Sequence, residues 1–373
     1  MKYMGSKRWM LQNGLGELLD VVGRDAIRFV DLFAGSGAVA VHVAQNFSIP
    51  VLAFDLQYYS AILTGAVIQR KKAIPWKDIW KRWYSDALGH TKKCNLPHTK
   101  KVTRQAVQVA RNWCEEQADL PITRAYGGYY FSPQQALWID TLLTYIPAKE
   151  PVKTVALAAL IKAASRCAAA PGHTAQPFQP TRSSKSFIQE AWSKDIIELT
   201  KESFSILSNC YAKEKGCAEV SDANKAAHRL RAGDLVFIDP PYSSVHYSRF
   251  YHVLESIAHG TVNSVSGSGR YPELSFRPRS QYSLKSKSRE ALADLLSTIA
   301  RKGAKAIVTF PAHKCSNGLS GDIVCEIARK YFQVEEKSIS SNFSTLGGTN
   351  SDSKKRRSAR QDAKELILTL TPY

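Results

Sequence analysis

A carboxylate, a backbone carbonyl and an aromatic ring come together in Asp239-Pro240-Pro241-Tyr242. These residues follow the apolar run 235–238, which predicts a buried strand, so they lie just past its C-terminal end. Two successive prolines stiffen the backbone and remove two N–H donors. Because open α/β sheets bind ligands beyond the carboxyl ends of their strands, the motif predicts a binding or catalytic site. A stiff turn without a ligand is the alternative interpretation.

A second group of residues that could bind a ligand surrounds Gly35 and Gly37. These glycines follow the apolar segment 28–34 and precede an apolar helical stretch, so they let the backbone approach a ligand at a helix N-terminus. Position 40 is alanine, so the dinucleotide fingerprint with three glycines is incomplete. Asp55 ends the next predicted strand and can accept hydrogen bonds from both hydroxyls of a ribose. The arrangement favours a nucleoside with a small acidic tail over a dinucleotide.

A mainly parallel sheet is needed to position both groups. The interval of about 20 residues between Gly35 and Asp55 is typical of a βαβ unit. The chain therefore predicts an α/β fold with helices on both faces of the sheet. Strands are predicted at 28–34, 51–54, 217–220, 234–238, 305–310 and 365–370, and helices at 38–46 and 288–301.

The central part of the chain has a different pattern. Helical signals dominate 71–205, which predicts a helical insertion between two parts of one sheet domain, 1–70 and 206–373. Residues 264–290 are rich in serine and basic residues and predict a long mobile loop. Residues 351–360 predict a basic hairpin tip or loop before the last strand.

The charge of the chain indicates a polyanionic partner. Its 373 residues contain 51 Lys and Arg against 32 Asp and Glu, a net charge of +19, which favours nucleic acid. Between Arg70 and Arg111 there are twelve basic and two acidic residues. Aromatic residues lie among them, and such mixtures suit phosphate contact and base stacking. The apolar face of a helix explains these aromatics equally well; they are Trp76, Trp80, Trp83 and Tyr84.

Several classes of protein are disfavoured by composition. The seven cysteines are scattered and form no C-x-x-C pair, which argues against a zinc site and a disulfide framework. We predict no metal site. The chain contains no apolar stretch of 18 residues, and its first residues lack the apolar region of a signal peptide. We expect a soluble intracellular protein that does not bind membranes.

Three motifs, in this order, resemble those of the DNA adenine methylases. They are Lys-Tyr-Met-Gly-Ser-Lys at 2–7, Asp-Leu-Phe-Ala-Gly-Ser-Gly at 31–37 and Asp-Pro-Pro-Tyr at 239–242. Arg166 and the stretch around Phe178 also look similar to a family segment. The resemblance implies S-adenosyl-L-methionine as cofactor and N6 of adenine in double-stranded DNA as the methyl acceptor. It also implies a Rossmann-like methyltransferase sheet, with 71–205 as the target-recognition domain.

The family's biology is implied in the same way. We expect a cytoplasmic enzyme of prokaryotic or phage origin that acts in restriction-modification, with a companion restriction endonuclease, or in solitary DNA methylation. Neither the recognition sequence nor the oligomeric state can be read from the residues, because base-edge contacts depend on which side chains reach the groove.

The resemblance also assigns the residues that hold the cofactor. Tyr3 and Lys7 lie against it, the glycines approach its methionine part, and Asp55 holds the ribose hydroxyls. Asp222 accepts a hydrogen bond from the adenine amine, although an N-cap of a helix over 223–230 explains Asp222 equally well. The full implied set is Tyr3, Lys7, Asp31, Phe33, Gly35, Gly37, Asp55, Asp222 and Asp239.

The implied catalytic residues are Asp239, Pro240 and Tyr242. An adenine amine is a poor nucleophile because its lone pair is delocalised into the ring. If the Asp239 carboxylate and the Pro240 carbonyl accept from N6–H, they stabilise the positive charge that grows on nitrogen during in-line attack on the methyl group. The base must leave the duplex to reach such a pocket, where Tyr242 would stack on its face.

Other activities stay open at this point. Methylation of cytosine N4, of an amide nitrogen or of adenine in RNA would use a similar site, and a non-catalytic DNA-binding module on the same fold is a further alternative. The run 243–252 after the motif is aromatic and basic. It predicts either a wall of the base pocket or duplex contacts, or else the core face of the next helix.

Overall fold

The computed structural model describes residues 7–91, 96–97, 101–344 and 360–373. Within them, seven strands form the central sheet in the order β3-β2-β1-β4-β7-β9-β8. The first five strands in this order pair in parallel, and β9 pairs antiparallel with both β7 and β8. The strands are β1 Arg28–Asp31, β2 Val51–Asp55, β3 Cys217–Val220, β4 Asp234–Ile238, β7 Lys305–Pro311, β8 Phe332–Ser344 and β9 Arg360–Pro372; the pair β5 Val265–Ser266 and β6 Tyr271–Pro272 lies apart.

Helices connect the strands and cover both faces of the sheet. Short 3-10 turns lie at Leu274–Phe276 and Gln281–Ser283, and a π-helical turn at Leu11–Leu15. The α-helices are α1 Arg8–Met10, α2 Gly16–Val22, α3 Ala38–Asn46, α4 Tyr58–Ile68, α5 Trp76–Thr91, α6 Arg104–Glu115, α7 Pro121–Tyr126, α8 Pro133–Thr144, α9 Val152–Cys167, α10 Lys185–Trp192, α11 Ile196–Asn209, α12 Ala223–Ala227, α13 Tyr247–His259, α14 Ser288–Arg301 and α15 Gly321–Ala328.

Alternate residues of the central strands feed two hydrophobic cores. Phe29 and Leu235 join the core that contains α3, α4, α9 and α13. Val30 and Val236 join the core of α12, α14 and α15 on the other face. This alternation follows from the opposite directions of successive side chains in a strand. The predicted α/β sheet with helices on both faces is confirmed.

In the described part of the segment that the sequence predicts to be helical, the structure contains the helices α5 to α11. Helices α9 and α11 contact each other, and α9 also contacts α4 and α13. Their apolar residues belong to the same core as the sheet residue Phe29. The segment is therefore packed onto one face of the sheet, and its role in target recognition stays a prediction.

The aromatic residues of α5 form its buried face. Trp80 and Trp83 are buried, and the Trp83 indole donates to the Leu142 carbonyl at 2.9 Å. Tyr84 stacks on Trp138 of α8 with ring centroids 5.9 Å apart. Of the two interpretations of these residues, the structure supports the apolar helix face. The basic residues Lys77, Lys81 and Arg82 lie on the exposed face of the same helix.

Two further predicted segments have different outcomes. Residues 264–290 contain short elements and bury Tyr282, while their mobility stays a prediction. The predicted hairpin tip at 351–360 lies outside the described residues except for Arg360. The strand β8, which pairs with β9 along its whole length, was not predicted. No helix in the described part of the chain is long and apolar enough to cross a membrane.

Candidate active site

A cleft of about 960 Å³, partly open to solvent, lies at the carboxyl ends of β1, β2 and β4. Parallel strands bring the residues that follow them to one edge of the sheet, which is where ligands bind in open α/β folds. The predicted site residues among its walls are Lys7, Asp31, Phe33, Gly35, Asp55, Asp222, Asp239, Pro240 and Tyr242. Tyr3 lies outside the described residues.

Asp239 stands at the end of β4 and is held from two sides. The Lys7 ammonium lies 2.9 Å from Asp239 Oδ1, and the Thr309 hydroxyl on the neighbouring strand β7 donates to the same oxygen at 3.0 Å. Burial raises the pKa of Asp239, and the Lys7 charge opposes this shift. Because both donors use Oδ1, the carboxylate has a fixed orientation that leaves Oδ2 to face other groups in the cleft.

Lys7 is a buried cation between two carboxylates. Only 5% of the residue is exposed, and its ammonium also lies 2.5 Å from Oε1 of Glu365 on β9. Burial alone would lower the pKa of Lys7, but Asp239 and Glu365 outweigh it and raise the pKa above its ordinary value. Lys7 therefore remains charged throughout the physiological range and neutralises part of the cleft's negative charge.

The glycine turn between β1 and α3 is tied to β2. Gly35 has φ +52°, and its N–H donates to Asp55 Oδ2 at 2.8 Å. Gly37, with φ +74°, starts α3 from the left-handed region, and a Cβ there would meet the Thr64 hydroxyl at 2.5 Å. The structure thus explains both glycines by backbone conformation, and Gly37 also by contact with α4. That Gly37 touches the cofactor stays a prediction.

Two carboxyl groups line the cleft beside this turn, that of the buried Asp31 and that of the half-buried Asp55. Burial raises the pKa of Asp31 to about 8, and the charges of Asp239 and Asp55 add to the shift. Burial raises the pKa of Asp55 to about 6, although the N–H groups of Gln57 and Gly35 donate to it. The raised pKa values show that ionisation of these carboxyl groups is unfavourable in the cleft, and a cationic ligand would stabilise their ionised forms.

Asp222 occupies the cleft and caps a helix at the same time. Its Oδ1 accepts from the N–H groups of Asn224 at 3.0 Å and Lys225 at 3.3 Å. The predicted N-cap is therefore present, although the helix it starts, α12, ends at Ala227 rather than at residue 230. The side chain also lines the cleft, so the two interpretations of Asp222 are compatible.

The aromatic residues around the motif divide between the cleft and the core. Tyr242 lines the cleft together with Tyr247, and burial raises the pKa of Tyr242. Phe250 and Tyr251, one turn along α13, are buried in the core. The Pro241 carbonyl accepts from the Asn317 amide at 2.8 Å, which fixes the bend of the motif.

Sequence reasoning missed several residues that complete the cleft. Tyr282 stands edge-on to Phe33, with ring centroids 5.1 Å apart, and its hydroxyl donates to Asn224 Oδ1 at 2.7 Å. Gln57 follows Asp55 in the cleft wall, and its buried Oε1 accepts no hydrogen bond from the described residues. Proximity to Asp55 could have singled out Gln57. Glu365 and Thr309 carry no signal of their own, because only the strand order brings them to Asp239.

The described residues contain no group of three His, Cys, Asp or Glu side chains that could hold a metal ion. The cleft is lined by carboxylates, a buried ammonium, backbone groups and aromatic rings. Such a set can bind a cationic nucleoside and can accept hydrogen bonds from an amine.

Known proteins are similar in sequence to this chain. The chain is 25% identical to "Modification methylase StsI" of Streptococcus sanguinis over 307 residues, which cover 80% of this chain and 42% of that protein. It is 26% identical over 311 residues to "Modification methylase LlaI" of Lactococcus lactis subsp. lactis, covering 80% and 44% of the two chains. It is 24% identical over 274 residues to "Type II methyltransferase M.FokI" of Planomicrobium okeanokoites, covering 69% of this chain and 37% of that protein. The chain thus spans less than half the length of these relatives.

The model of one protein family matches more than half of the chain. The matched residues are 3–92 and 168–308, so they include the glycine turn, Asp55 and the Asp239 motif and omit the middle of the helical segment. With the cleft geometry in place, this match assigns the protein: the chain belongs to the family of D12 class N6 adenine-specific DNA methyltransferases.

Proposed function

We propose that the protein transfers a methyl group from S-adenosyl-L-methionine to N6 of adenine within a specific sequence of double-stranded DNA. The observation that carries the proposal is the position of the Asp239 carboxylate. It faces the same cleft as the Gly35 turn and Asp55, so an amine acceptor and a nucleoside-type site share one space. The +19 charge of the chain supports DNA as the partner.

The residues of the cleft fit this cofactor. It would supply a methyl group on a positively charged sulfur, and its amino group adds a second positive charge. The carboxyl groups of Asp31 and Asp55 would be stabilised in their ionised forms by those charges. Gln57 Oε1, which accepts no hydrogen bond from the described residues, would gain a donor from a nucleoside hydroxyl or amine. Lys7, Phe33, Gly35 and Asp222 would complete the binding site.

Asp239 would act on the target amine as a fixed hydrogen-bond acceptor. Lys7 and Thr309 hold its Oδ1, so Oδ2 and the Pro240 carbonyl can accept from the two N6–H groups of adenine. Charge that develops on the nitrogen during attack is then stabilised by acceptors that need no reorganisation. Burial raises the pKa of Asp239, and the Lys7 charge opposes this shift and favours the ionised form. Tyr242 would stack on the adenine once the base has left the duplex.

The biological setting is part of the same proposal. The relatives are named modification methylases or a type II methyltransferase, so we place the protein in DNA modification in a bacterial cytoplasm. A companion restriction endonuclease would fit that setting. The helical segment 71–205 would supply the contacts that select the sequence.

Analysis of nucleosides after the reaction tests this function. Unmethylated genomic DNA and, in a separate reaction, total RNA are incubated with the protein and S-adenosyl-L-methionine that carries a labelled methyl group, and each is then digested for mass spectrometry. The proposal requires labelled N6-methyladenine. Labelled N4-methylcytosine would select the cytosine alternative, methylation of RNA but not of DNA would select the RNA alternative, and the absence of label in either would favour a non-catalytic binding module.

A further inference from the structure

Three arginines gather beside the mouth of the cleft, on α13 and on the segment 273–279, which we call the rim segment. The Arg249 guanidinium lies 4.6 Å from the ring centroid of Tyr271, and the Arg277 guanidinium lies 5.6 Å from the same centroid. Arg279 is near enough to Arg277 to lower its pKa, an effect that adds to burial and to the charge of Arg249. The three cations therefore form one cluster.

This cluster is not neutralised by acidic side chains. Within the described part of the chain, none of Arg249, Arg277 and Arg279 forms an ion pair, in contrast to Arg270, which lies 3.3 Å from a Glu115 oxygen. The Nε atom of Arg277 is buried and has no hydrogen-bond partner among the described residues. Like charges held together without a counter-ion are unfavourable, so the arrangement suits an anionic ligand.

The rim segment is anchored to the rest of the protein on both sides. Before it, the Gly269 carbonyl accepts from the Tyr130 hydroxyl and from the His252 ring, each at 2.9 Å. After it, Tyr282 is buried in the cleft wall. Pro278 and Ser280 line the cleft, so Arg277 and Arg279 are direct chain neighbours of residues in its wall.

The rim segment also carries exposed apolar side chains. Leu274 and Phe276 are exposed at 59% and 55%. Exposed aromatic and apolar groups among unpaired cations form the pattern of a nucleic-acid surface, where bases meet the rings and phosphates meet the guanidinium groups. An acidic protein surface would neutralise the arginine charges, but it would match the combination of cations and exposed apolar side chains less well than a nucleic acid does.

We propose that Arg249, Arg277 and Arg279 bind the phosphates that flank the target nucleotide, so that the rim segment is a DNA-contacting wall of the site. The inference rests on the proposed function for its choice of DNA. Phosphate contacts at this position would hold the strand while the base leaves the stack, and they carry no sequence information themselves. This wall lies outside the helical segment 71–205 to which sequence selection is assigned.

The test is a DNA-binding measurement on the full chain. Arg249 and Arg279 are exposed, so Arg249→Gln with Arg279→Gln leaves the core intact. The control is Arg301→Gln with Lys305→Gln, which removes the same charge at the amino end of β7, on the opposite edge of the sheet. The affinity for a fluorescein-labelled duplex of mixed sequence is measured at several salt concentrations, and each variant is checked for its melting temperature.

We expect the rim variant to bind the duplex at least about tenfold more weakly, with a slope of log affinity against log salt that is smaller by roughly 2, since each phosphate contact contributes about 0.9. Arg277→Gln should weaken binding in the same direction, and replacement of Arg249 and Arg279 by Lys should restore most of the slope. Affinity and slope equal to those of the control would overturn the inference. Methyl transfer by the wild type is measured separately, so a failure of the proposed function appears there and not in the binding data.

Discussion

The ammonium of Lys7 lies 2.9 Å from Oδ1 of Asp239, although 232 positions separate the two residues in the chain. The contact joins the first motif of the sequence to the last. It places a permanent positive charge next to the carboxylate on which the proposed chemistry depends, and it gives that carboxylate a fixed orientation. Glu365 shares the same ammonium, so the C-terminal strand takes part in the electrostatics of the site.

Glu365 should influence the pH dependence of the reaction. Its charge is one of the causes that raise the pKa of Asp239, after burial. Asp239 must be ionised to accept from an amine, so activity falls as pH drops through its pKa. Glu365→Gln removes a negative charge that raises the pKa of Asp239. We therefore expect the acid limb of the rate profile to move to lower pH. Glu335→Gln, at an exposed position of β8, is the control and should leave the limb in place. A shift to higher pH would contradict the assignment.

Cofactor binding should release a proton from Asp31. Burial raises the pKa of this group to about 8 in the free protein, so it is largely protonated at neutral pH. A cationic ligand favours the carboxylate, and affinity should therefore increase from roughly pH 6 to pH 8 and level off above. Titration calorimetry of S-adenosyl-L-methionine in buffers of different ionisation enthalpy measures the affinity and the number of protons released on binding.

Asp31→Asn is the matched variant for this measurement, because it keeps the shape of the side chain and cannot ionise. Any pH dependence that belongs to the ligand's own amine remains in the variant, so the difference between the two curves belongs to Asp31. Identical curves would show that Asp31 does not respond to the ligand.

The two glycines Gly37 and Gly89 should respond to alanine in opposite ways. Gly37 has φ +74°, and a Cβ there meets the Thr64 hydroxyl at 2.5 Å, so Gly37→Ala should cost at least about 1 kcal/mol of unfolding free energy. Gly89 lies in α5 with no heavy atom within 4 Å of an added Cβ. Gly89→Ala should stabilise the protein by up to about 1 kcal/mol. Urea unfolding measures the free energy of unfolding of both variants. A Gly37→Ala protein as stable as the wild type would contradict the predicted strain at Gly37.

The exposed face of α5 should contribute to DNA affinity through charge alone. The aromatic residues of this helix pack against the core, while Lys77, Lys81 and Arg82 are exposed to solvent. Replacing all three by Gln should reduce the salt slope of duplex binding by up to roughly 0.9 for each phosphate that is no longer neutralised. Equal replacement of Arg301, Lys305 and Lys330, at the amino end of the sheet strands, is the control. An unchanged slope for the α5 variant would place the DNA on another surface.

Local signals in the sequence account for the parts of the fold that were predicted. The apolar runs before Asp55 and Asp239, and the glycines after β1, depend on neighbours within a few residues. The same is true of the βαβ unit that places β1 beside β2, since such connections set consecutive parallel strands side by side. Asp222 shows the limit of such signals, because one side chain serves as both N-cap and cleft wall.

The remaining site residues depend on contacts between distant parts of the chain. Glu365 reaches Lys7 because β9 inserts antiparallel beside β7, and no pattern around Glu365 predicts that position. Tyr282 lies in a segment of serines and basic residues whose composition indicates a loop. For Trp83, basic neighbours favoured nucleic acid and helical spacing favoured the core, and only the packing against Leu142 and Phe204 distinguishes the two.

The role of Asp239 is tested most directly by a single-turnover measurement of methyl transfer to DNA by Asp239→Ala, together with its affinity for S-adenosyl-L-methionine. Asp322→Ala, at an exposed position of α15, is the control. We predict that Asp239→Ala loses at least about 100-fold in the rate of transfer, because a fixed acceptor for the developing charge is gone, while cofactor affinity stays within a few-fold. Transfer of the methyl group at the wild-type rate would contradict the account.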